Sequence, residues 1–317
     1  MVRACGQVIA LVAWIGFLGL ATAGAQTAPE KAQPKVTEIR IGFPEPMFKD
    51  VAPNLIQVAA KPFQEMLQKI AGISGTMEVV PNYKVLAELL DQGKLDMAVF
   101  HGFEYAWVKD SPSLEPIVVT VPNCGKVQAC LVVHVNSKAK TAEHLVGACV
   151  AVPKGSKAHC QMFLDRLRET LPEECCCPIN QPGMTPAETL DAVVCRNCEA
   201  ALVDVSALLA YQKSTPGLAR QLKVLHQSEL LPSAVVVYRK GALTPQQVTA
   251  IRGGLLNSTK TAEGQIFAMF WNLKGFGEVS DEYTRLVEQC LQAYPPPNSG
   301  TRQTSILLPQ APAPRSK

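Results

Sequence analysis

The chain of 317 residues is 47% hydrophobic and only 18% charged, with 30 basic against 27 acidic side chains. That is enough apolar material to bury cores of two ordinary domains. The near-neutral balance and the lack of a basic block give no support for nucleic acid or a membrane surface as a partner.

Residues 1–25 carry one charge, Arg3, then an apolar run over 8–20, then Ala23-Gly24-Ala25 before Gln26. This is the pattern of a secretory signal peptide cleaved near Ala25, and the run is shorter than the about 20 residues a membrane span needs. A periplasmic or secreted protein is expected. Cys5 precedes the apolar run, so a lipid-modified cysteine at the cleavage point is not supported. Ten cysteines remain after cleavage, and in an exported chain disulfides are the first expectation. Cys124 and Cys130 bracket a short turn that a bridge could clip. The dense group is Cys175-Cys176-Cys177 with Cys195 and Cys198, which should supply at least one disulfide. As a zinc site it has one C-x-x-C half but no paired second half.

In chain order, EIRIGF (38–43) alternates as a strand and leads into a Pro-rich turn over 44–48. Phe63, Met66, Leu67 and Ile70 recur at helical spacing, with Pro62 placed at a helix start or kink and Gly72 or Gly75 as the stop. MEVV (77–80) is a strand running into Asn82-Tyr83. Val85, Leu86, Leu89 and Leu90 make a short helix ended by Gly93, and LDMAVF (95–100) is a buried strand before His101 and Tyr105. Strand, helix, strand, helix, strand implies a parallel sheet, whose ligands lie beyond the carboxyl ends of the strands.

A second block repeats this. Strands are expected over 116–121 and 131–135, then a helical piece over 141–145. CVAVPKGSKAHCQMFLDRL (149–167) reads as strand, Pro/Gly turn and helix. Cys160, Phe163, Leu164 and Leu167 give the apolar stripe, and the helix is expected to open near Ser156. The free N–H groups and positive dipole end there suit an anion, with Lys154, Lys157 and His159 as further donors; a plain helix cap is the other reading of Ser156. Thr185-Pro186 and Glu188 start a helix, AALV (200–203) is a strand ending at Asp204, 232–238 is a strand, and Thr244-Pro245 opens a helix. The Pro-, Ser- and Gln-rich segment 295–317 has little to bury and is expected to be a disordered tail. The chain crosses between blocks near Val121 and Pro232. The expected organisation is therefore lobe 1 from 36–120 with 232–294, and lobe 2 from 121–231.

These strings, in this order and spacing, resemble the phosphate/phosphite/phosphonate solute-binding proteins of ABC importers: 39–43, Asn82-Tyr83, GKLDMAVF (93–100), Tyr105, the loop 153–159, 199–204 and Leu231-Pro232. The resemblance covers about 36–294. It implies an α/β type II periplasmic-binding-protein fold, two lobes each with a mostly parallel sheet flanked by helices and joined by a two-strand hinge. By the same resemblance, Tyr83 and Tyr105 face the ligand, Ser156 and Lys157 stand where the family has a hydroxyl-rich helix start, and Asp204 is its acidic residue after the last strand of lobe 2. The family's Gly-Pro before the tyrosine loop is His101-Gly102 here, which makes His101 a further candidate. Where many members have a histidine before the second-lobe helix, this chain has Met184-Thr185-Pro186.

The implied function is capture of a phosphate-, phosphite- or phosphonate-like oxyanion by hinge closure, without catalysis, cofactor or bound metal, as a monomer serving a membrane ABC permease. The residues leave two other readings. One is a cysteine-based sensor or metal-handling protein. The other is an enzyme, for which the chain lacks G-x-S-x-G, H-E-x-x-H and G-x-x-x-x-G-K-[ST] signatures.

Overall fold

The computed structural model describes residues 38–48, 55–171, 177–180 and 184–297. The expected signal peptide, all of the expected tail beyond residue 297, and Cys175 and Cys176 lie outside the described residues.

The elements are β1 (Glu38–Pro44), α1 (Ile56–Ala71), β2 (Ser74–Val80), α2 (Tyr83–Asp91), β3 (Met97–Phe100), α3 (Gly102–Val108), β4 (Leu114–Pro122), β5 (Ala129–His134), β6 (Cys149–Val152), α4 (Ala158–Thr170), β7 (Cys177–Asn180), α5 (Pro186–Val194), β8 (Ala200–Asp204), α6 (Val205–Ser214), α7 (Pro216–Ala219), β9 (Leu222–Gln227), β10 (Val235–Arg239), α8 (Pro245–Leu256), α9 (Ala262–Phe270), β11 (Leu273–Gly277) and α10 (Asp281–Ala293). Among the described residues they form two sheets. One runs β11-β4-β10-β3-β1-β2, the other β7-β6-β8-β5-β9.

Both sheets repeat one order. In the first, β2, β1 and β3 are parallel neighbours, β10 is inserted antiparallel, and β4 follows. In the second, β7, β6 and β8 are parallel neighbours, β5 is inserted antiparallel, and β9 follows. Each inserted strand arrives from the other block of chain. This is the α/β architecture with a two-strand connection that the sequence implied. The connecting segments touch: Val127 and Leu231 form an isolated antiparallel bridge, Gln128 Nε2 donates to the Ser228 carbonyl at 2.9 Å, and the Ala129 N–H donates to Ser228 Oγ at 3.0 Å.

The pleat decides the packing, because successive residues of a strand face opposite sides. Ile39, Ile41, Phe43, Met97 and Val99 are buried in one cluster with Phe63, Met66 and Leu67 of α1 and Ile251 and Leu255 of α8. Ala98, Phe100, Val235 and Val237 point the other way, to Leu86 and Leu90 of α2 and Val287 of α10, in a cluster that continues through Val150, Val152, Ala200 and Leu202 of the second sheet to Phe163 and Leu164 of α4. On the remaining face of that sheet, Ala151, Ala201 and Val203 meet Leu190 and Val193 of α5 and Leu208 of α6.

Three expectations change. Helix α1 begins at Ile56, six residues before Pro62, and continues through it. The proline forgoes one hydrogen bond, to the Val58 carbonyl, while buried Phe63, Met66 and Leu67 hold the helix to the sheet. The bridge expected between Cys124 and Cys130 is absent: the Cys124 thiol donates to the Lys126 carbonyl, and Cys130 is buried in β5 with Gln227 donating to its sulfur. Neither Cys195 nor Cys198 is bonded to the Cys175–177 group, since both are free thiols. The turn after α5 explains part of this: it leaves Cys195 exposed and turns Cys198 into the core, so the two point to different surroundings.

Candidate functional site

All seven candidate residues sit just beyond the carboxyl ends of parallel strands, where such sheets place ligands. Tyr83 opens α2 three residues after the end of β2; Asn82 caps that helix, its side-chain oxygen accepting from the N–H groups of Lys84 at 3.0 Å and Val85 at 3.1 Å. His101 and Tyr105 belong to the turn from β3 into α3, Ser156, Lys157 and His159 to the turn from β6 into α4, and Asp204 ends β8.

The residues of the second sheet come together. His159 Nε2 lies 2.9 Å from Asp204 Oδ2, and Lys157 Nζ lies 3.8 Å from Asp204 Oδ1. The His159 contact is foremost among the interactions that favour the charged form of this carboxylate. Ser206 adds its N–H to Asp204 Oδ1 at 2.9 Å and its hydroxyl to the same oxygen, which also caps α6. Burial pushes the Asp204 carboxyl up, but His159, Lys157 and Ser206 together outweigh it and hold its pKa at about 2. Asp204 is therefore an anion at neutral pH, buried to 8% exposure.

The helix start differs from expectation. Gly155 turns left-handed at φ 69°, Ser156 closes the turn through its N–H to the Pro153 carbonyl at 3.1 Å, and α4 opens two residues later with Lys157 at the cap position. Ser156 is therefore not the cap. Lys157 offers no capping side chain, so the first N–H groups of this 13-residue helix stay open to another acceptor. Among the described residues, buried Ser156 Oγ has no hydrogen-bonding partner beyond a weak contact to the Cys160 thiol beside it.

On the first sheet, Tyr83 is buried and its hydroxyl has no hydrogen-bond partner among the described residues. Burial pushes the phenol up, and Glu104 adds to this, so it remains a donor at neutral pH. Its ring leans on Trp107 with centroids 4.9 Å apart, and Trp107 Nε1 donates to the Tyr294 carbonyl at 2.7 Å. His101 is taken up locally: Nδ1 lies 2.8 Å from Glu104 Oε2, the same carboxylate accepts from the His101 N–H at 3.3 Å, and the ring stacks on Phe103. Tyr105 is also buried, and burial, then Asp110, pushes its hydroxyl up; it acts in turn on Tyr283 of α10. Lys157 and His159 thus both meet Asp204, Tyr83 and His101 share Glu104, and Tyr105 is coupled to the α10 side.

Sequence reasoning missed Glu104, Ser206 and Gly102. Glu104 stands three residues after the cap position and Ser206 two after Asp204, both recognisable capping spacings. Gly102 has a steric reason: a Cβ there would lie 2.1 Å from the Pro232 carbonyl oxygen, so the second connecting segment passes directly over the start of α3. Among the described residues no group of three or more His, Cys, Asp or Glu side chains is arranged to hold a metal, and no helix is long and apolar enough to cross a membrane. Two shallow surface depressions, one by Glu115, Tyr238 and Lys240 and one by Gln64, Lys69 and Glu263, contain none of the candidate residues.

The order of each sheet and the cluster of donors at the strand ends define a periplasmic-binding-protein fold. Residues 47–284 match the family model described as "ABC transporter, phosphonate, periplasmic substrate-binding protein", and the chain belongs to that family. Its fold is similar to a Xanthomonas citri protein bound to ATP, with 14% identity, TM-score 0.57 and coverage of 81% of this chain and 97% of that one. It is also similar to PhnD1 from Prochlorococcus marinus in complex with methylphosphonate (13% identity, TM-score 0.55, 81% and 98%). A binding-protein component of an ABC phosphonate transporter from Pseudomonas aeruginosa matches with 16% identity, TM-score 0.54 and coverage of 81% and 86%. No curated protein matches the sequence.

Proposed function

We propose that this protein is the solute-binding component of an ABC importer and captures a phosphate-, phosphite- or phosphonate-like oxyanion between its two sheets. One observation carries the reading: among the described residues the buried hydroxyls of two candidate residues, Tyr83 and Ser156, have no directed partner. Buried donors left unpaired cost about 1–3 kcal/mol each, and an oxyanion would supply the missing acceptors. The open N–H groups of α4 offer more of the same, with the dipole in the favourable sense. In this reading Lys157 offsets the charge of Asp204, and Asp204 holds the donors in place and accepts a hydrogen bond from the hydroxyl of a singly ionised ligand. Tyr105 and His101 line the first-sheet wall, and Lys157 and Ser156 the second.

The proposed lobes are 36–120 with 232–294, and 121–231, closing about the connecting segments bridged at Val127 and Leu231. The mature protein would act in the periplasm after cleavage near Ala25, as a monomer that delivers its ligand to a membrane permease and catalyses nothing. A thermal-shift series with phosphate, phosphite, methylphosphonate, aminoethylphosphonate, sulfate and taurine tests this. A phosphorus oxyanion present at a hundredfold excess over its Kd should add about 2.7 kcal/mol to stability. Silence from every phosphorus compound would reject the ligand class.

A further inference from the structure

We propose that Cys149 and Cys198 form an oxidisable pair, which closes as a disulfide at the edge of the second sheet opposite the ligand-binding loops. The register fixes where they are. Val150 lies opposite Ala200 and Ala151 opposite Ala201 on the parallel strands β6 and β8. One residue earlier, the Cys149 N–H donates to the Glu199 carboxylate at 3.1 Å, and Cys198 is the next residue back. The two cysteines therefore stand on adjacent strand starts, one residue out of register, and a strand spacing of about 4.8 Å with a rise of about 3.3 Å puts their Cα atoms roughly 6 Å apart. Disulfides form between Cα atoms separated by about 4.4–6.8 Å.

The two also share a face. Val150 and Ala200 belong to the cluster under α4, whereas Ala151, Ala201 and Cys198 belong to the cluster under α5. By alternation Cys149 is on the Ala151 side, with Cys198. On its other side β6 pairs with β7, where Cys177 stands opposite Cys149; the remaining described cysteines are separated from this place. Cys160 is on α4 across the sheet, Cys130 is opposite Val203 near the far ends of the strands, Cys195 is exposed, and Cys290 is on α10. The turn that delivers Cys198 is tightly held: the N–H groups of Asn197 and Cys198 both donate to the Ala192 carbonyl, at 2.8 and 3.2 Å, and Arg196 is left-handed at φ 60°, a conformation a non-glycine residue adopts at a cost.

The two thiols are chemically unequal. Cys149 is partly exposed, while Cys198 is buried, and burial, then Cys149 and Glu199, keeps its thiol protonated. Cys149 is therefore the first to react. Its thiolate attacks a small disulfide oxidant R–S–S–R, forming a mixed disulfide and releasing one R–S⁻. Cys198 then displaces the second R–S⁻ and the Cys149–Cys198 bond forms. The two thiol protons pass to the two R–S⁻ groups, so one oxidant disulfide becomes two thiols as two protein thiols become one disulfide. A compartment that oxidises exported proteins supplies such an oxidant.

The test uses the full chain, equilibrated with oxidised glutathione, alkylated and digested without reduction. The expected result is one linked peptide pair containing Cys149 and Cys198, lighter than the two thiol peptides by two hydrogens. The oxidised protein should melt roughly 5–10 °C above the dithiothreitol-treated protein. Cys149→Ser should lose that rise and Cys195→Ser should keep it; Cys149, partly exposed, is the position where substitution is compatible with folding. Full alkylation of both cysteines, a bond from Cys149 or Cys198 to Cys177 instead, or a stoichiometric metal ion protecting both thiols would each overturn the proposal.

Discussion

At the scale of single residues, the ionisation of Asp204 is set by its neighbours His159, Lys157 and Ser206. Its folded pKa of about 2 lies below the ordinary 3.8. The sign follows: a depressed carboxylate stabilises the fold above its unfolded pKa, and that stabilisation is lost as pH falls through the folded value. The depression is worth about 2 kcal/mol at neutral pH, lost between about pH 4 and pH 2. Urea unfolding of the wild type and Asp204→Asn at stepped pH checks this. The wild type should lose about 2 kcal/mol more than the variant across that window. Parallel curves would mean that the His159 and Lys157 contacts do not hold the carboxylate. Ser156 and Lys157 separate by a different readout. Lys157→Gln should flatten the dependence of ligand affinity on ionic strength, because it removes a charge. Ser156→Ala removes a neutral hydroxyl and should lower affinity with the salt slope kept. Equal salt slopes for the wild type and Lys157→Gln would remove Lys157 from the ligand's electrostatic environment.

At the scale of elements, Gly102 decides how the second connecting segment meets the start of α3. Gly102→Ala would drive a Cβ into the Pro232 and Ser233 backbone, whose atoms lie 2.1 to 2.5 Å from the added carbon. Backbone cannot rotate away as a side chain can, so a loss of about 2–4 kcal/mol is expected in chemical denaturation. A loss below about 0.5 kcal/mol would show that the segment shifts freely. Legibility at this scale followed burial. Central strands such as LDMAVF were readable because both faces are covered, giving continuous apolar runs. The edge strands β9 and β11 were not: Lys223, Val224, His226 and Gln227 of β9 show no clean alternation because much of that strand is exposed. The start of α4 was misplaced by two residues because Gly155-Ser156 has the composition of a cap while its backbone makes a separate turn.

At the scale of the whole molecule, one strand order occurs twice, and each sheet receives its antiparallel strand from the chain's crossing to the other block. The sequence made this visible as repeated strand-helix units and two returns, near Val121 and Pro232. It did not make the contacts across those returns visible, such as Gln128 with Ser228 or Tyr283 Oη donating to the Ser233 carbonyl at 3.0 Å, because they join residues 50 or more apart. The candidate site was legible where it follows strand ends, as at Tyr83, Ser156 and Asp204. It was not legible in what pairs with what: His101 is engaged by Glu104, whereas the Tyr83 hydroxyl and Ser156 Oγ are left unpaired.

The most direct test of the oxyanion account is calorimetric titration of methylphosphonate, phosphite and phosphate into the wild type, Tyr83→Phe and Ser156→Ala. Each variant deletes one buried, unpartnered hydroxyl from a different sheet. Each should therefore weaken the best ligand by about 1.5–3 kcal/mol, as for a hydrogen bond to a charged group, while the melting temperature of the unliganded protein stays level or rises. Wild-type affinity in both variants, or weaker binding accompanied by an equal loss of unliganded stability, would contradict the claim that these two hydroxyls grip an oxyanion from opposite sheets.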